Sequence, residues 1–320
     1  MDVEVRRDDL RRTRVVEGGD GNVRIVRFAL SANNVTYGVH GDALSYWSFF
    51  PASEEGWGRI PVWGVGEVVD TGQLIYGYFP MSSHVRMQLD ERLVERSPHR
   101  SELPATYNRY MPVDRAMPHL DEMLLLRPLF GTSILLADFL GAEQGTVVLG
   151  SASSKTAYGL AFLLEQRVVG LTSARNRGFV ASLGVYDRVL TYDEVDGLAD
   201  EEGPLVFVDM SGDRGVRERV RAAAGDRLRR DVAVGSTHWE RLGGDDAAEF
   251  FFAPTHLERL MAQGGPALQR MGEAWDALMS RAGDWIEIER GSGPEDVERV
   301  WRALVDGEAD PRRGHVLTLA

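Results

Sequence analysis

The run Gly150-Ser151-Ala152-Ser153-Ser154-Lys155-Thr156-Ala157-Tyr158-Gly159 gathers hydroxyls and a lysine between an apolar triplet, Val147-Val148-Leu149, and an apolar segment over 155–166. A turn of small residues between a strand and a helix is where a parallel sheet presents helix amides to a phosphate. Gly150 keeps the tight turn. Ser153 and Ser154 stand where the Gly-x-Gly-x-x-Gly fingerprint uses glycines to admit a pyrophosphate, and Lys155-Thr156 follow as in a triphosphate loop that has lost the glycine before its lysine. Two readings stay open: a nucleotide phosphate held by Ser153, Ser154, Lys155 and Thr156, or a polar turn in which Ser153 or Ser154 caps the helix. The next apolar strand, 168–172, runs into Ser173-Ala174-Arg175-Asn176-Arg177. An NAD site would place an acid there for the ribose hydroxyls. Ser173 and Arg175, with Arg177 nearby, instead suit a 2′-phosphate by charge and bidentate hydrogen bonding, which favours NADP. The alternative is a pair of solvated arginines in a helix's first turn.

Around this turn the periodicity places strands and helices in alternation. Short buried strands are expected at 147–149, 168–172, 189–190, 205–209 and 232–234, and helices at 155–166 and 176–183, the latter ending at Gly184. Such alternation argues for a parallel, doubly wound sheet. Residues 121–140 read as helical but interrupted at Pro128, with Gly131-Thr132-Ser133 starting a second helix. Residues 1–120 read as β-rich: 23–30 alternates apolar and basic residues, 60–72 is a strand crowded by glycines, and 74–79 and 84–89 are further strands. Closely spaced Gly and Pro suit a small barrel. Residues 91–120, rich in Pro, Arg and Tyr, read as loop. Helix is expected over most of 256–282, a strand at 285–289, a helix at 294–305 and a final strand at 315–319.

The 320 residues allow two domains with packed cores. A net charge of −13 argues against general affinity for nucleic acid or an anionic membrane. With no cysteine, disulfides, thiolate zinc sites, iron–sulfur clusters and cysteine nucleophiles are excluded. The charged start Met1-Asp2-Val3-Glu4 is not that of a secretory signal, and no apolar run reaches the roughly 20 residues of a membrane helix. The expectation is a cytoplasmic protein acting on a small-molecule substrate, with no nucleic-acid or membrane partner.

With these residues in hand, the chain resembles the medium-chain dehydrogenase/reductase superfamily, in its zinc-free quinone and enone reductase branch. The run 29–41 (Ala-Leu-Ser-Ala-Asn-Asn-Val-Thr-Tyr-Gly-Val-His-Gly) resembles the family's early strand and Asn-x-x-Asp turn, with Tyr37 in place of the acid. Residues 60–69 resemble its Pro-Gly-x-Glu-x-x-Gly-x-Val stretch, with Trp63 or Gly64 in place of the glutamate. Gly131-Thr132-Ser133 through Ala137 resembles the helix start before the cofactor domain. Residues 172–176, 179–184 and 189–192 resemble the second and third cofactor strands and are the most specific part. Residues 208–212 and Val234-Gly235 resemble the fourth and fifth, and 313–317 the closing Gly-Lys-Val-Val-Leu.

The resemblance implies an α/β chain in two parts: a GroES-like β-barrel from 1–121 and 284–320, and a Rossmann NADP(H)-binding domain from 122–283, with the active site in the cleft. It implies Ser153, Ser154, Lys155 and Thr156 on the phosphates, Ser173 and Arg175 on the 2′-phosphate, Tyr192 by the adenosine, and Gly235, Ser236 and Thr237 on the nicotinamide side. It further implies a homodimer through the edge strands of the cofactor domains.

Hydride addition to an enone or quinone makes an enolate or phenolate oxygen, which needs a hydrogen-bond donor and a proton source. Tyr37 and His40 lie in the segment resembling the family's substrate-facing turn and are the candidate donors, with Asn34 to orient the substrate. The other readings are an aromatic core residue for Tyr37 and a surface or loop histidine for His40. Tyr46, Trp47, Phe49, Trp57 and Trp63 suit either a flat apolar pocket or barrel core. The seven histidines form no close pair, so a zinc site is not expected. A lyase or isomerase on the same fold and a non-catalytic NADPH-binding protein are the alternatives to a reductase.

Overall fold

The structure, a computed structural model, describes residues 1–141, 144–234 and 248–319. Its chain divides into two compact units, Met1–Pro128 with Ile286–Ala320, and Leu129–Trp285. The divisions fall slightly beyond the expected ones. Asp121 explains the first: its buried carboxylate pairs with Arg27 at 3.0 Å and Arg290 at 2.7 Å, both in the first unit.

The second unit is built on six strands: β1 (Thr146–Leu149), β2 (Val168–Thr172), β3 (Arg188–Thr191), β4 (Leu205–Asp209), β5 (Leu228–Val234) and β6 (Glu249–Phe251). Every pairing is parallel and the order is β3-β2-β1-β4-β5-β6. β1, β2 and β4 are buried at every residue, which is why they read as unbroken apolar runs rather than alternating ones. Helix α1 (Lys155–Leu163) joins β1 to β2. A 3₁₀ turn at Ala174–Asn176 and helix α2 (Arg177–Ser182) join β2 to β3, where the sequence suggested one helix. A 3₁₀ segment, Tyr192–Asp200, leads to β4, and α3 (Arg214–Ala224) to β5. α3 is strongly amphipathic: Val216, Val220 and Ala224, four residues apart, face the core, and Asp213 caps its start by accepting from the Val216 amide at 2.9 Å. The order reverses between β1 and β4, so the loops after them leave in opposite directions and open a crevice at their carboxyl ends.

The first unit carries a mixed sheet in the order Glu287–Ser292, Arg313–Thr318, Val23–Leu30, Pro61–Val68, Leu74–Pro80, Met111–Pro112. The C-terminal strands thus complete a sheet begun near the other end of the chain. Helix Gly293–Val305 turns Val297, Val300 and Trp301 into the same core as Phe28, Ile75 and Phe79, and the Trp301 indole donates to the Leu10 carbonyl at 2.8 Å.

Four local expectations change. The N-terminal hairpin, Asp2–Arg6 with Asp9–Val16, was hidden by its charge. It is held by ion pairs on wholly buried carboxylates: Glu4 with Arg14 at 2.6 Å and Asp2 with Arg59 at 2.9 Å. The strand expected over 84–89 shrinks to His84–Val85. Beyond it the Met87 and Gln88 amides go to side chains, Asn22 at 2.8 Å and Glu95 at 3.1 Å, instead of a ladder. Pro128 does not interrupt its helix, which runs unbroken over Leu120–Leu140. Leu124, Leu126, Phe130 and Leu136 are all fully buried. At roughly 1.5–3 kcal/mol each, their burial outweighs the roughly 3 kcal/mol of an internal proline. That helix is also, by length and composition, apolar enough to cross a membrane, against the sequence expectation. Of its apolar window 61% is buried within the protein, as in a core helix.

Glu201 provides a test of the second unit's electrostatics. Its buried carboxylate accepts from Arg167 at 2.8 Å and Arg188 at 2.9 Å. Those hydrogen bonds hold it below the usual carboxylate range against the opposing effect of burial. The stability it contributes is complete above the unfolded value, near 4.5, and is lost as pH falls through the lowered folded value. Urea unfolding of wild type and Glu201→Gln, followed from neutral pH to about pH 3, should show the variant less stable at neutral pH and the two converging in acid.

Candidate functional site

The turn between β1 and α1 lies where the strand order reverses, and three neighbouring loops hold it. The Gly150 amide donates to the Val208 carbonyl of β4 at 3.0 Å, and the Ala152 amide to the Leu171 carbonyl of β2 at 2.9 Å. Between them Ser151 takes a left-handed conformation, φ 52°, unusual for a residue with a side chain. Its amide donates to the Tyr192 hydroxyl at 3.2 Å, so Tyr192, expected by the adenosine, reaches the loop itself. Ser154 caps α1, accepting from the Ala157 amide at 3.2 Å. Ser153 accepts from the Asn176 side chain at 3.2 Å, and the Tyr186 hydroxyl donates to the Ala152 carbonyl at 2.8 Å.

The missing loop glycines are accounted for by a glycine on the neighbouring strand. A Cβ on Gly170 would lie 2.9 Å from the Ala152 Cβ and 2.9 Å from the Tyr186 ring. The close approach of loop to sheet is therefore kept by removing the side chain from β2 instead of from the loop.

Lys155 and Thr156 open the first turn of α1, both half-buried. Ser173 and exposed Arg175 occupy the turn after β2. Arg177 is committed elsewhere: it pairs with Glu194 at 2.8 Å, and Glu194 in turn caps the following segment through Thr191. Ser153, Ser154 and Tyr192 thus meet around one loop. Gly235, Ser236 and Thr237 lie outside the described residues.

Sequence reasoning missed the charges beneath this loop. Asp209, the last residue of β4, accepts at one oxygen from the Ser211 amide at 2.8 Å, the Ser211 hydroxyl at 2.6 Å and the Gly212 amide at 3.2 Å. Its other oxygen pairs with Arg217 at 2.9 Å, both side chains almost wholly buried. Asp231 of β5 faces Arg217 at 3.6 Å and accepts from Arg221 at 2.7 Å. Asp209 is also what a Cβ on Gly150 would meet, at 3.3 Å. The signal available in the sequence was a lone acid closing the apolar run Leu205-Val206-Phe207-Val208.

The second group of candidates belongs to the first unit. Where the sequence suggested a strand and a turn, Ala32–Val39 is a helix, opened by a reciprocal cap between Ser31 and Asn34. The Asn34 oxygen accepts from the Ser31 amide at 2.9 Å, and its nitrogen donates to the Pro61 carbonyl at 2.9 Å. Buried and committed at both ends, Asn34 fastens the helix to the sheet rather than orienting a substrate. Tyr37, one turn on, is buried among Tyr46, Tyr78, Phe49, Phe50 and Tyr107. Its oxygen accepts from the Asn33 side chain at 2.7 Å and the Trp63 indole at 3.2 Å. Burial pushes its pKa well above the ordinary tyrosine value, so it stays a neutral phenol. His40, half-buried at the helix end, is held below its ordinary value by burial.

A mixed sheet closed by C-terminal strands, together with a Rossmann sheet in its standard order, is the fold seen in the medium-chain dehydrogenases/reductases, a GroES-like part and a Rossmann part. Solved structures bear this out. CurA from Vibrio vulnificus, in complex with NADPH, is 12% identical over 97% of this chain and 94% of its own, with a TM-score of 0.60. The quinone oxidoreductase from Coxiella burnetii is 13% identical over 100% and 99%, with a TM-score of 0.59. That from Thermus thermophilus, solved alone and with NADPH, is 16% identical over 99% of each chain, with a TM-score of 0.57. Within this fold the chain belongs to the family described as protein of unknown function (DUF2855), whose model matches residues 28–310. No curated protein matches it.

Gly170→Ala should lower stability by about 1–3 kcal/mol through overpacking against Ala152 and Tyr186. Gly178→Ala in α2, where an added Cβ meets nothing within 4 Å, should instead raise it by up to about 1 kcal/mol. Urea titration of the two variants checks both signs.

Proposed function

We propose that this protein is an NADP(H)-dependent, zinc-independent oxidoreductase acting on a conjugated enone, enoyl or quinone-like carbonyl. The observation that carries the reading is the donor set at the carboxyl ends of β1 and β2. Ser153, Ser154, Lys155 and Thr156 sit at a helix N-terminus, and Ser173 and Arg175 follow β2 in a turn whose residues 173–177 include no carboxylate. Hydroxyls and cations fit phosphates, and a guanidinium in place of an acid fits a 2′-phosphate. The NADPH bound in CurA and in the Thermus thermophilus enzyme supports the same choice. Zinc independence rests on the absence of cysteine and of closely spaced histidines.

When bound, the cofactor would supply a hydride. The chain's own residues supply the rest. Lys155 and the α1 N-terminus balance phosphate charge, and Arg175 selects the phosphorylated ribose. Tyr37 accepts hydrogen bonds at its oxygen from Asn33 and Trp63, has the Tyr78 hydroxyl beside it, and would turn its own hydrogen to a developing oxyanion. With its pKa raised, it acts as a hydrogen-bond donor that keeps its proton.

A second reading, a non-redox enzyme on the same fold, draws on the loop's self-sufficiency: Tyr192 engages the Ser151 amide and Asn176 engages Ser153. Calorimetric titration separates the two. NADPH should bind at micromolar concentration and NADH much more weakly. Arg175→Ala should weaken NADPH binding about tenfold, near 1.4 kcal/mol, and leave NADH unchanged. Binding of neither nucleotide would discard the reductase and leave the second reading.

A further inference from the structure

Arg100 is 2% exposed, and no carboxylate of the described residues pairs with it. Among the described residues its only side-chain hydrogen bond runs from Nη1 to the Tyr110 hydroxyl, at a long 3.3 Å, and that hydroxyl donates onward to the Tyr78 carbonyl. Nε and Nη2 are buried and have no partner among the described residues. The guanidinium lies over the rings of Phe50 at 4.6 Å and Phe49 at 5.2 Å. The same two rings contact Tyr78, at 6.2 and 5.2 Å between centroids, and the Tyr78 hydroxyl, fully buried, has the Tyr37 hydroxyl beside it and no other hydrogen-bond partner among the described residues. The nearby buried acid, Glu95, is spent on backbone amides, accepting from Ser97 at 2.7 Å and Gln88 at 3.1 Å. One aromatic cluster therefore holds two guanidinium nitrogens without an acceptor among the described residues, beside a phenol whose near polar neighbour is another phenol.

Cation–π contacts alone compensate poorly for a charge taken wholly out of water, and replacing such a charge by an apolar side chain of similar size often leaves stability intact or raises it. An arrangement that stability does not require, and in which every unpaired group named is a donor, matches the chemistry of an anion.

We infer that Arg100 and Tyr78 form an anion subsite, and that the substrate is a conjugated compound bearing a carboxylate. The carboxylate takes the Nε and Nη2 hydrogens of Arg100 side by side and the Tyr78 hydroxyl, with its planar conjugated part against Phe49 and Phe50. The structure is closed over these groups, and Phe50 must swing aside for the anion to enter. The inference rests on the proposed carbonyl-substrate reading, but its test does not need the nucleotide.

Thermal unfolding with cinnamate, a planar conjugated carboxylate, and cinnamamide, its neutral counterpart, tests it without NADPH. At roughly ten times its dissociation constant, cinnamate should raise the wild-type midpoint by about 3 °C and cinnamamide should not. Arg100→Met should keep or raise its own midpoint and lose the cinnamate shift. Tyr78→Phe should fold and show a smaller shift. No cinnamate-specific shift in wild type, a shift surviving in Arg100→Met, or an Arg100→Met midpoint many degrees lower would each overturn the subsite, the last by making the guanidinium a packing element. A cinnamate response in a protein that binds neither nucleotide would keep the subsite and remove the reductase.

Discussion

Hydrogen bonding in a parallel sheet sends every loop at one edge out of the same end, and a strand order that reverses forces two of them apart. That constraint organises the second unit. β1 lies between β2 and β4, so the loop after β1 is reached by whatever follows each of them. Asn176 comes from the connection after β2, Tyr192 from that after β3, and Asp209 stands at the end of β4. The buried pairing of Asp209 with Arg217 and of Arg217 with Asp231 ties the ends of β4 and β5 to α3 beneath the loop. Breaking such a network at one member leaves an uncompensated charge, so the loop's geometry and the unit's stability are coupled.

The loop itself departs from the usual glycine pattern without losing its close approach to the sheet. The space a glycine would have left in the loop is provided by Gly170 across from it, and the left-handed backbone that glycine would have adopted freely is taken by Ser151. Side chains then satisfy polar groups that a phosphate satisfies in nucleotide-binding turns of this kind. The loop holds its shape with internal partners, and a ligand would have to exchange with them.

The first unit solves a different problem. Beside its aliphatic core lies a cluster built of phenols, and Tyr37, Tyr46, Tyr78 and Tyr107 pack ring against ring at 4.5 to 6.0 Å. Burial raises the pKa of all four, so the cluster is uncharged apart from the guanidinium of Arg100 at its margin. Such a core combines apolar surface with hydroxyls at defined points, which is what a site for a flat, partly polar molecule requires.

Much of this was legible in the residues. The apolar runs of β1, β2 and β4 and the helix-length spacings between them specify parallel strands, because a strand covered on both faces has no polar alternate. Ser153, Ser154, Arg175 and Tyr192 could be chosen by their positions relative to strand ends. What the chain alone could not show depended on partners far away in sequence. The charged hairpin of Asp2–Arg6 with Asp9–Val16 forms because Glu4 and Asp2 find Arg14 and Arg59. The helix over Leu120–Leu140 survives Pro128 because apolar packing outweighs one missing hydrogen bond. Asn34 is consumed by the Pro61 carbonyl, a contact across 27 positions that no local pattern encodes. Local periodicity and strand-end chemistry are properties of neighbours along the chain, and so the sequence by itself determined the elements and the general place of the loop. Whether a polar side chain is spent on the scaffold, as Asn34 is, or left unpaired, as Arg100 is at two nitrogens, is a property of what surrounds it in space, and only the tertiary structure decided it.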